Sequence, residues 1–269
     1  MLKINIKKYL IMKKIIIIGA GAMGSAFAVP CLENKNEVTI IGTHLEDDLI
    51  DSIKSNNNFH PALKVELPTK LKVEKYEKLK SILEGEVDII VAGVSSIGIE
   101  WFVNQISKNY KKNLPIILLT KGLAIEDNEL ITLSDKIKKL LKKQGHEEVN
   151  VSAIKGPCLA AGLAYKMRTG TVIANPDIKE TEKLKKIIST DYYSTEISDD
   201  LTGVELAGAI KNIYSMLIGA SEGLSNSKAP KEIQSKYYLN TSASLIHRSI
   251  SEMVEFVSYY GGKVDTVYG

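Results

Sequence analysis

The sequence predicts an α/β protein, a doubly wound and mostly parallel sheet followed by an all-helical region. Two observations carry most of that expectation. Short β-branched runs alternate with stretches of helical spacing from the amino terminus onward, as they do in strand–helix–strand units. After about residue 200 the alternation stops, and two long stretches rich in small and apolar residues take over. A third observation sets the type of sheet. Runs such as "KKIIIIGA" are apolar throughout rather than alternating, which suits strands buried on both faces.

The elements follow in order. "KKIIIIGA" is the first strand, and "AMGSAFAVPCLEN" reads as a helix that Pro30 keeps from extending far. "EVTIIGT" is the second strand. A polar stretch containing "SNNNFHP" interrupts the pattern before "EVDIIVAGVSS" gives another buried strand. "GIEWFVNQISKNY" has helical spacing, "LPIILLTKG" is a strand, and "NELITLSDKIKKLLKKQG" is an amphipathic helix. "VNVSAIKGP" and "GTVIANP" add two strands, ahead of the charged run "KETEKLKKIIS" and "DYYSTEIS". In the helical region, "LTGVELAGAIKNIYSMLIGASEGL" and "YYLNTSASLIHRSISEMVEFVSYYGG" are joined by the polar "SNSKAPKEIQSKYY", expected to be a mobile loop. The expected division is an extension over 1–11, a sheet domain over 12–195 and a helical domain over 196–269, with Met12 an alternative start.

Composition excludes several classes. With 44% hydrophobic and 25% charged residues, the chain has the make-up of an ordinary globular protein. A formal net charge of +3 is small and the lysines are dispersed, so runs such as "KLKVEKYEKLK" solvate surfaces rather than bind nucleic acid. Two distant cysteines, Cys31 and Cys158, make no disulfide framework and fit a reducing, cytoplasmic compartment. The four histidines, His44, His60, His146 and His247, show no metal-ligand spacing, so no metal is expected. No basic amphipathic helix suggests a membrane surface.

Residues 15–32, "IIIIGAGAMGSAFAVPCL", admit a second reading as an export signal. Lys7, Lys8, Lys13 and Lys14 precede the segment, and Ala28-Val29-Pro30-Cys31 ends it like a processing site. Cleavage there would discard the glycine turn on which the rest of the constellation depends. Gly19, Gly21 and Gly24 spell G-x-G-x-x-G between a buried strand and a helix, the context of a Rossmann-like dinucleotide site. Gly19 permits the tight turn, Gly21 lets backbone approach the pyrophosphate, and Gly24 lets helix pack on sheet. The helix N-terminus supplies N–H groups and a partial positive charge for phosphate. After the second strand, Thr43 and His44 stand where an NAD-selective acid belongs. No carboxylate repels a 2′-phosphate there and no arginine attracts one, so NAD and NADP are both permitted.

Three further motifs lie downstream. "LLTKGL" places Lys121 just after a buried strand, and "IKGPCLAAG" puts Gly156-Pro157 in the same situation, at the edge where ligands of such sheets collect. Lys211 and Asn212 sit inside an otherwise apolar helix, where a lysine is costly unless it reaches water or a partner.

In this order the motifs resemble the NAD(P)-dependent glycerol-3-phosphate dehydrogenase family, of bacterial type. The match runs through "GAGAMGSAFA", "TKGL", "GP", "GVELAGAIKN" and an N-x-x-A-x-L-I-x-R-x-x-x-E-M pattern carried by Asn240, Ala243, Leu245, Ile246, Arg248, Glu252 and Met253. The resemblance implies an oxidoreductase of dihydroxyacetone phosphate and glycerol 3-phosphate, feeding glycerophospholipid synthesis, with NAD or NADP as cofactor and a homodimer as a possible assembly. It implies Lys211 as the proton donor and acceptor, Lys121 as a second lysine touching substrate and cofactor, and Asn212 as an orienting group. Gly156 and Cys158 fall at substrate-contacting positions, and Ala22, Met23, Thr43, His44 and Ala160 at cofactor-contacting ones.

The chain departs from the family pattern in three places. "GPCLAAG" lacks the charged pair that often follows the turn, and the loop joining the two helices is longer than expected. The family also continues past the region matching "GGKVDTVYG" into a GxGDL turn and an RN pair that contact substrate, neither of which is present. The expectation is therefore a fragment or a truncated protein. Two alternatives stay open: a ketopantoate-reductase-like NADP enzyme, and a non-catalytic dinucleotide-binding protein.

Overall fold

The computed structural model describes residues 12–228 and 239–268. The extension over 1–11 and most of the expected joining loop, 229–238, lie outside the described residues. In chain order the strands are β1 (Lys14–Ile18), β2 (Glu37–Ile41), β3 (Phe59–His60), β4 (Val65–Glu66), β5 (Lys72–Glu74), β6 (Ile89–Ala92), β7 (Ile116–Leu118), β8 (Leu123–Glu126), β9 (Glu129–Thr132), β10 (Val151–Lys155), β11 (Thr169–Ala174) and β12 (Tyr193–Ser198). The α-helices are α1 (Ala22–Glu33), α2 (Asp47–Ser55), α3 (Leu79–Glu84), α4 (Ile99–Ile106), α5 (Leu133–Lys143), α6 (Ala160–Ala164), α7 (Ile178–Ile188), α8 (Leu201–Lys228), α9 (Leu239–Tyr259) and α10 (Asp265–Tyr268).

Eight strands form one sheet in the order β12-β11-β10-β7-β6-β1-β2-β5. All neighbours pair in parallel except β10 and β11. The run from β5 to β10 has the strand order of a dinucleotide-binding sheet, which reverses between β1 and β6. The sequence shows why β1 has no polar face. Ile15 and Ile17 pack with Phe27 and Val29 of α1 on one side, while Ile16 and Ile18 pack with Phe102 and Val103 of α4 on the other. Each fully buried isoleucine contributes about 2 kcal/mol by removing its surface from water.

Several elements differ from the sequence reading. The stretch around "SNNNFHP" contains α2, the small β3–β4 ribbon and β5. The edge strand β5 has one buried side chain, Val73, and α2 buries only Ile50 and Ile53, so neither leaves an apolar run. "NELIT" is not helical but forms β9, paired antiparallel with β8. The helix starts at Leu133 because the Thr132 side chain accepts from the Asp135 N–H at 3.2 Å, an N-cap. Pro30 lies within α1, in its last turn, and the helix continues to Glu33.

The helical region begins at Leu201, directly after β12. Asp200 holds its start: one carboxylate oxygen accepts from the Gly203 N–H at 2.9 Å, the other from the Lys263 N–H at 2.7 Å. That carboxylate caps α8 and fastens the chain that follows α9. The helix then crosses the end of β10, and this crossing builds the site.

Candidate active site

The glycine turn lies where the strand order reverses. Gly19 has φ +108°, and a Cβ there would lie 2.7 Å from the Gly93 carbonyl at the end of β6. A Cβ on Gly24 would lie 2.4 Å from the Gly19 oxygen, so α1 sits against the turn at a distance no side chain permits. Gly21 is the N-cap of α1, with no side-chain cap and no acidic residue in the first turn. The Ala22, Met23 and Gly24 N–H groups have no carbonyl of their own helix to bond. This donor set fits a dinucleotide diphosphate.

The end of β2 corrects the sequence reading. A carboxylate does stand there: Glu46 Oε2 accepts from the Thr43 N–H at 2.7 Å and the Ala20 N–H at 3.1 Å. A Cβ on Gly21 would lie 3.9 Å from Glu46 Oε1, so the negative charge overlies the glycine turn. The signal was an acid some 20 residues past the motif, obscured because the turn brings it back rather than the strand delivering it. His44 is exposed and tilts over Trp101 at 5.2 Å between ring centroids, with Tyr76 5.6 Å from Trp101.

Met23, Lys121, Gly156 and Cys158 meet around one small cavity. Ala160 opens α6, which lies against α1, and like Ala22 and Met23 it packs on the buried core beneath them. Lys121 Nζ donates to the Gly156 carbonyl at 3.4 Å. Burial and then the Lys211 charge hold its pKa below the usual lysine range. Gly156 has φ +147°, and a Cβ there would lie 2.9 Å from Thr171 Cα, so the turn presses backbone against β11. Burial raises the Cys158 thiol. Lys211, half-exposed on α8, lines an adjoining cavity of about 170 Å³ with Lys155, Gly156, Gly208 and Met253. Asn212 is exposed on the same helix. The structure thus brings Lys121, Lys211, Gly156 and Cys158 to one place beside Met23, and leaves Asn212 facing outward.

Two residues of this cluster are not singled out in the sequence, although both lie inside its motifs, Lys155 in "IKGPCLAAG" and Glu205 in "GVELAGAIKN". Lys155, the last residue of β10, is buried and reads as one more strand residue. Glu205 is buried in α8; its Oε1 accepts from the Ser134 N–H at 3.2 Å, and its Oε2 has no partner. A larger cavity, about 780 Å³, opens at the opposite edge of the sheet between Lys13, Asp88, Asn113 and Asn175. It is remote from the glycine turn and the lysines. Among the described residues no group of His, Cys, Asp and Glu is placed to hold a metal, and no helix is long and apolar enough to cross a membrane.

Residues 14–181 match the family described as NAD-dependent glycerol-3-phosphate dehydrogenase N-terminus, and residues 200–269 match its C-terminus. The NADP(+)-dependent glycerol-3-phosphate dehydrogenase of Archaeoglobus fulgidus is 34% identical over 253 residues, covering 94% of this chain and 72% of the relative. The crystal structure of glycerol-3-phosphate dehydrogenase from Coxiella burnetii superposes with a TM-score of 0.77 at 26% identity, over 96% of this chain and 72% of that one. A ketopantoate reductase from Ralstonia eutropha shares the fold at 16% identity and a TM-score of 0.52, over 89% of this chain and 74% of that one. The two long matches, the sheet order and the glycine turn agree: this chain belongs to the NAD-dependent glycerol-3-phosphate dehydrogenase family.

Proposed function

We propose that the chain interconverts dihydroxyacetone phosphate and sn-glycerol 3-phosphate, the backbone on which glycerophospholipids are built. The observation that carries this reading is the meeting of Lys121, Gly156 and Lys211 beside Met23, on the helix whose N-terminus faces the phosphate turn. The reduced nicotinamide dinucleotide, NADH or NADPH, supplies the hydride when bound. Gly19, Gly21 and Gly24 seat its diphosphate on the Ala22 and Met23 N–H groups, with Thr43, His44 and Ala160 along its length. Lys211 Nζ donates a proton to the substrate's carbonyl oxygen, and takes it back from the secondary alcohol in reverse. Lys121, a cation partly withdrawn from water, attracts the substrate's phosphate and the oxygen that gains charge. Gly156 and Cys158 shape the wall of the cavity, while Asn212 is exposed outside it and is given no role. The reaction takes place in the cytoplasm, without a metal.

The test is substrate-dependent oxidation of NADH and NADPH, with dihydroxyacetone phosphate and ketopantoate compared side by side. Oxidation with dihydroxyacetone phosphate alone supports the proposal. Oxidation with ketopantoate alone moves the chain to the reductase reading. Tight dinucleotide binding without turnover of either leaves a binding protein.

A further inference from the structure

Lys155 is a charged side chain buried at the centre of the cluster, and the proposed reaction gives it no task. Its Nζ donates to the carbonyl of Thr120 and, at 3.4 Å, to that of Leu118. These carbonyls belong to the end of β7 and to the residue immediately before Lys121. Its stem crosses α8 where a side chain is missing: a Cβ on Gly208 would lie 3.2 Å from Lys155 Cβ and Cγ. Gly208 stands one turn before Lys211. Lys155 therefore touches both segments that present the two lysines of the site, and it arrives from the strand that ends in Gly156.

From this geometry we infer that Lys155 is a positioning residue, a buried tether that holds the Thr120–Lys121 turn in register with α8 and so fixes where the Lys121 ammonium meets the substrate. The alternative is that Lys155 only fills space at the end of β10. A space-filling role does not require an ammonium group, and burying one without partners is costly. Here two carbonyls receive it, and the carboxylate of Glu205, one turn from Gly208 on the same helix, acts on it electrostatically. The charges facing Lys155 are Glu205 from α8 and Lys121 from the end of β7. Burial pulls its pKa down, Glu205 counters that pull, and Lys121 adds to it. Thr120 is fixed from its other side, since its hydroxyl donates to the Val94 carbonyl at 2.7 Å. Release of Lys155 thus frees one end of a turn that is otherwise anchored.

The inference rests on the proposed site, and its first test does not need activity. Hydrogen exchange by mass spectrometry on the whole chain reads the segment 119–122 separately from the glycine turn. In Lys155→Met that segment is expected to exchange at least about tenfold faster, while peptides covering Gly19–Ala26 stay within about twofold of wild type. Lys155→Arg, which keeps charge and donors, is expected to restore most of the protection. Uniform acceleration of all peptides, or none at 119–122, overturns the inference. Should Lys155→Met fail to fold, Gly208→Ala decides: its methyl crowds the Lys155 stem while alanine strengthens the helix. Local acceleration at 119–122 in that variant supports the tether, and unchanged exchange overturns it. If the chain turns over dihydroxyacetone phosphate, Lys155→Met should raise KM about tenfold with a smaller loss in kcat, because a displaced Lys121 weakens substrate binding first. An absence of turnover in wild type contradicts the proposed function and leaves the exchange result standing.

Discussion

Glu46 reaches back from the start of α2 to the Ala20 and Thr43 N–H groups, so its charge lies where an adenosine ribose approaches a glycine turn. In a dinucleotide-binding fold a carboxylate at this position favours a 2′-hydroxyl over a 2′-phosphate, and we propose that preference for Glu46. Glu46→Gln is therefore expected to shift relative affinity toward NADPH by about tenfold, or about 1.4 kcal/mol, in a fluorescence titration with both dinucleotides. A ratio that does not move places the 2′ group elsewhere. Lys155 is held at about 8, against 10.5 in the unfolded chain, because burial disfavours its charge. The folded form binds fewer protons between those two values. Its cost to folding is then full below pH 8 and fades as pH rises toward 10.5. Wild type should gain on Lys155→Met by up to about 3 kcal/mol in unfolding free energy across that window, measured by denaturant titration at several pH values. Both residues escaped the sequence reading for the same reason. A side chain that turns back to another segment leaves no periodicity, whereas Lys121 and Lys211 stand in runs that announce them.

The β1–α1 turn was legible because every requirement falls on consecutive residues. A strand buried on both faces must be apolar throughout, and the glycines fall where backbone passes backbone. The Cβ that Gly24→Ala introduces meets the Gly19 oxygen at 2.4 Å, a backbone atom that cannot turn aside. That substitution is expected to cost roughly 1–3 kcal/mol of stability and to weaken dinucleotide binding at least about tenfold, read by thermal melting and NADH fluorescence. Wild-type binding in this variant contradicts the account of α1 seated on the turn. Among the elements missed, α2, the β3–β4 ribbon, β5 and the β8–β9 pair are short, and one or two buried side chains such as Val73 suffice for each. Their formation depends on partners distant in sequence: β5 exists because β2 offers an edge to it. The early start expected for α5 failed on capping, since "NELIT" carries apolar residues at helical spacing but Thr132 closes the helix behind it.

At the scale of the whole molecule, the proposed site lies where α8 crosses the end of β10. Asp200 fixes that crossing at the helix start through Gly203 and Lys263, and Gly208 lets the helix approach β10 closely enough for Lys211 to share a cavity with Gly156. The change from alternating strands to long helices was readable from the pattern along the sequence, while the convergence of three lysines from β7, β10 and α8 required the fold. The central claim is that Lys211, so placed, transfers the proton to and from the substrate oxygen. The direct measurement is the initial rate of dihydroxyacetone phosphate reduction by wild type and Lys211→Ala, at saturating NADH and NADPH, with dinucleotide affinity measured on the same samples. The account predicts a rate lower by roughly 10²–10⁴ in the variant with dinucleotide affinity within about twofold of wild type. A Lys211→Ala protein that reduces dihydroxyacetone phosphate at the wild-type rate contradicts it.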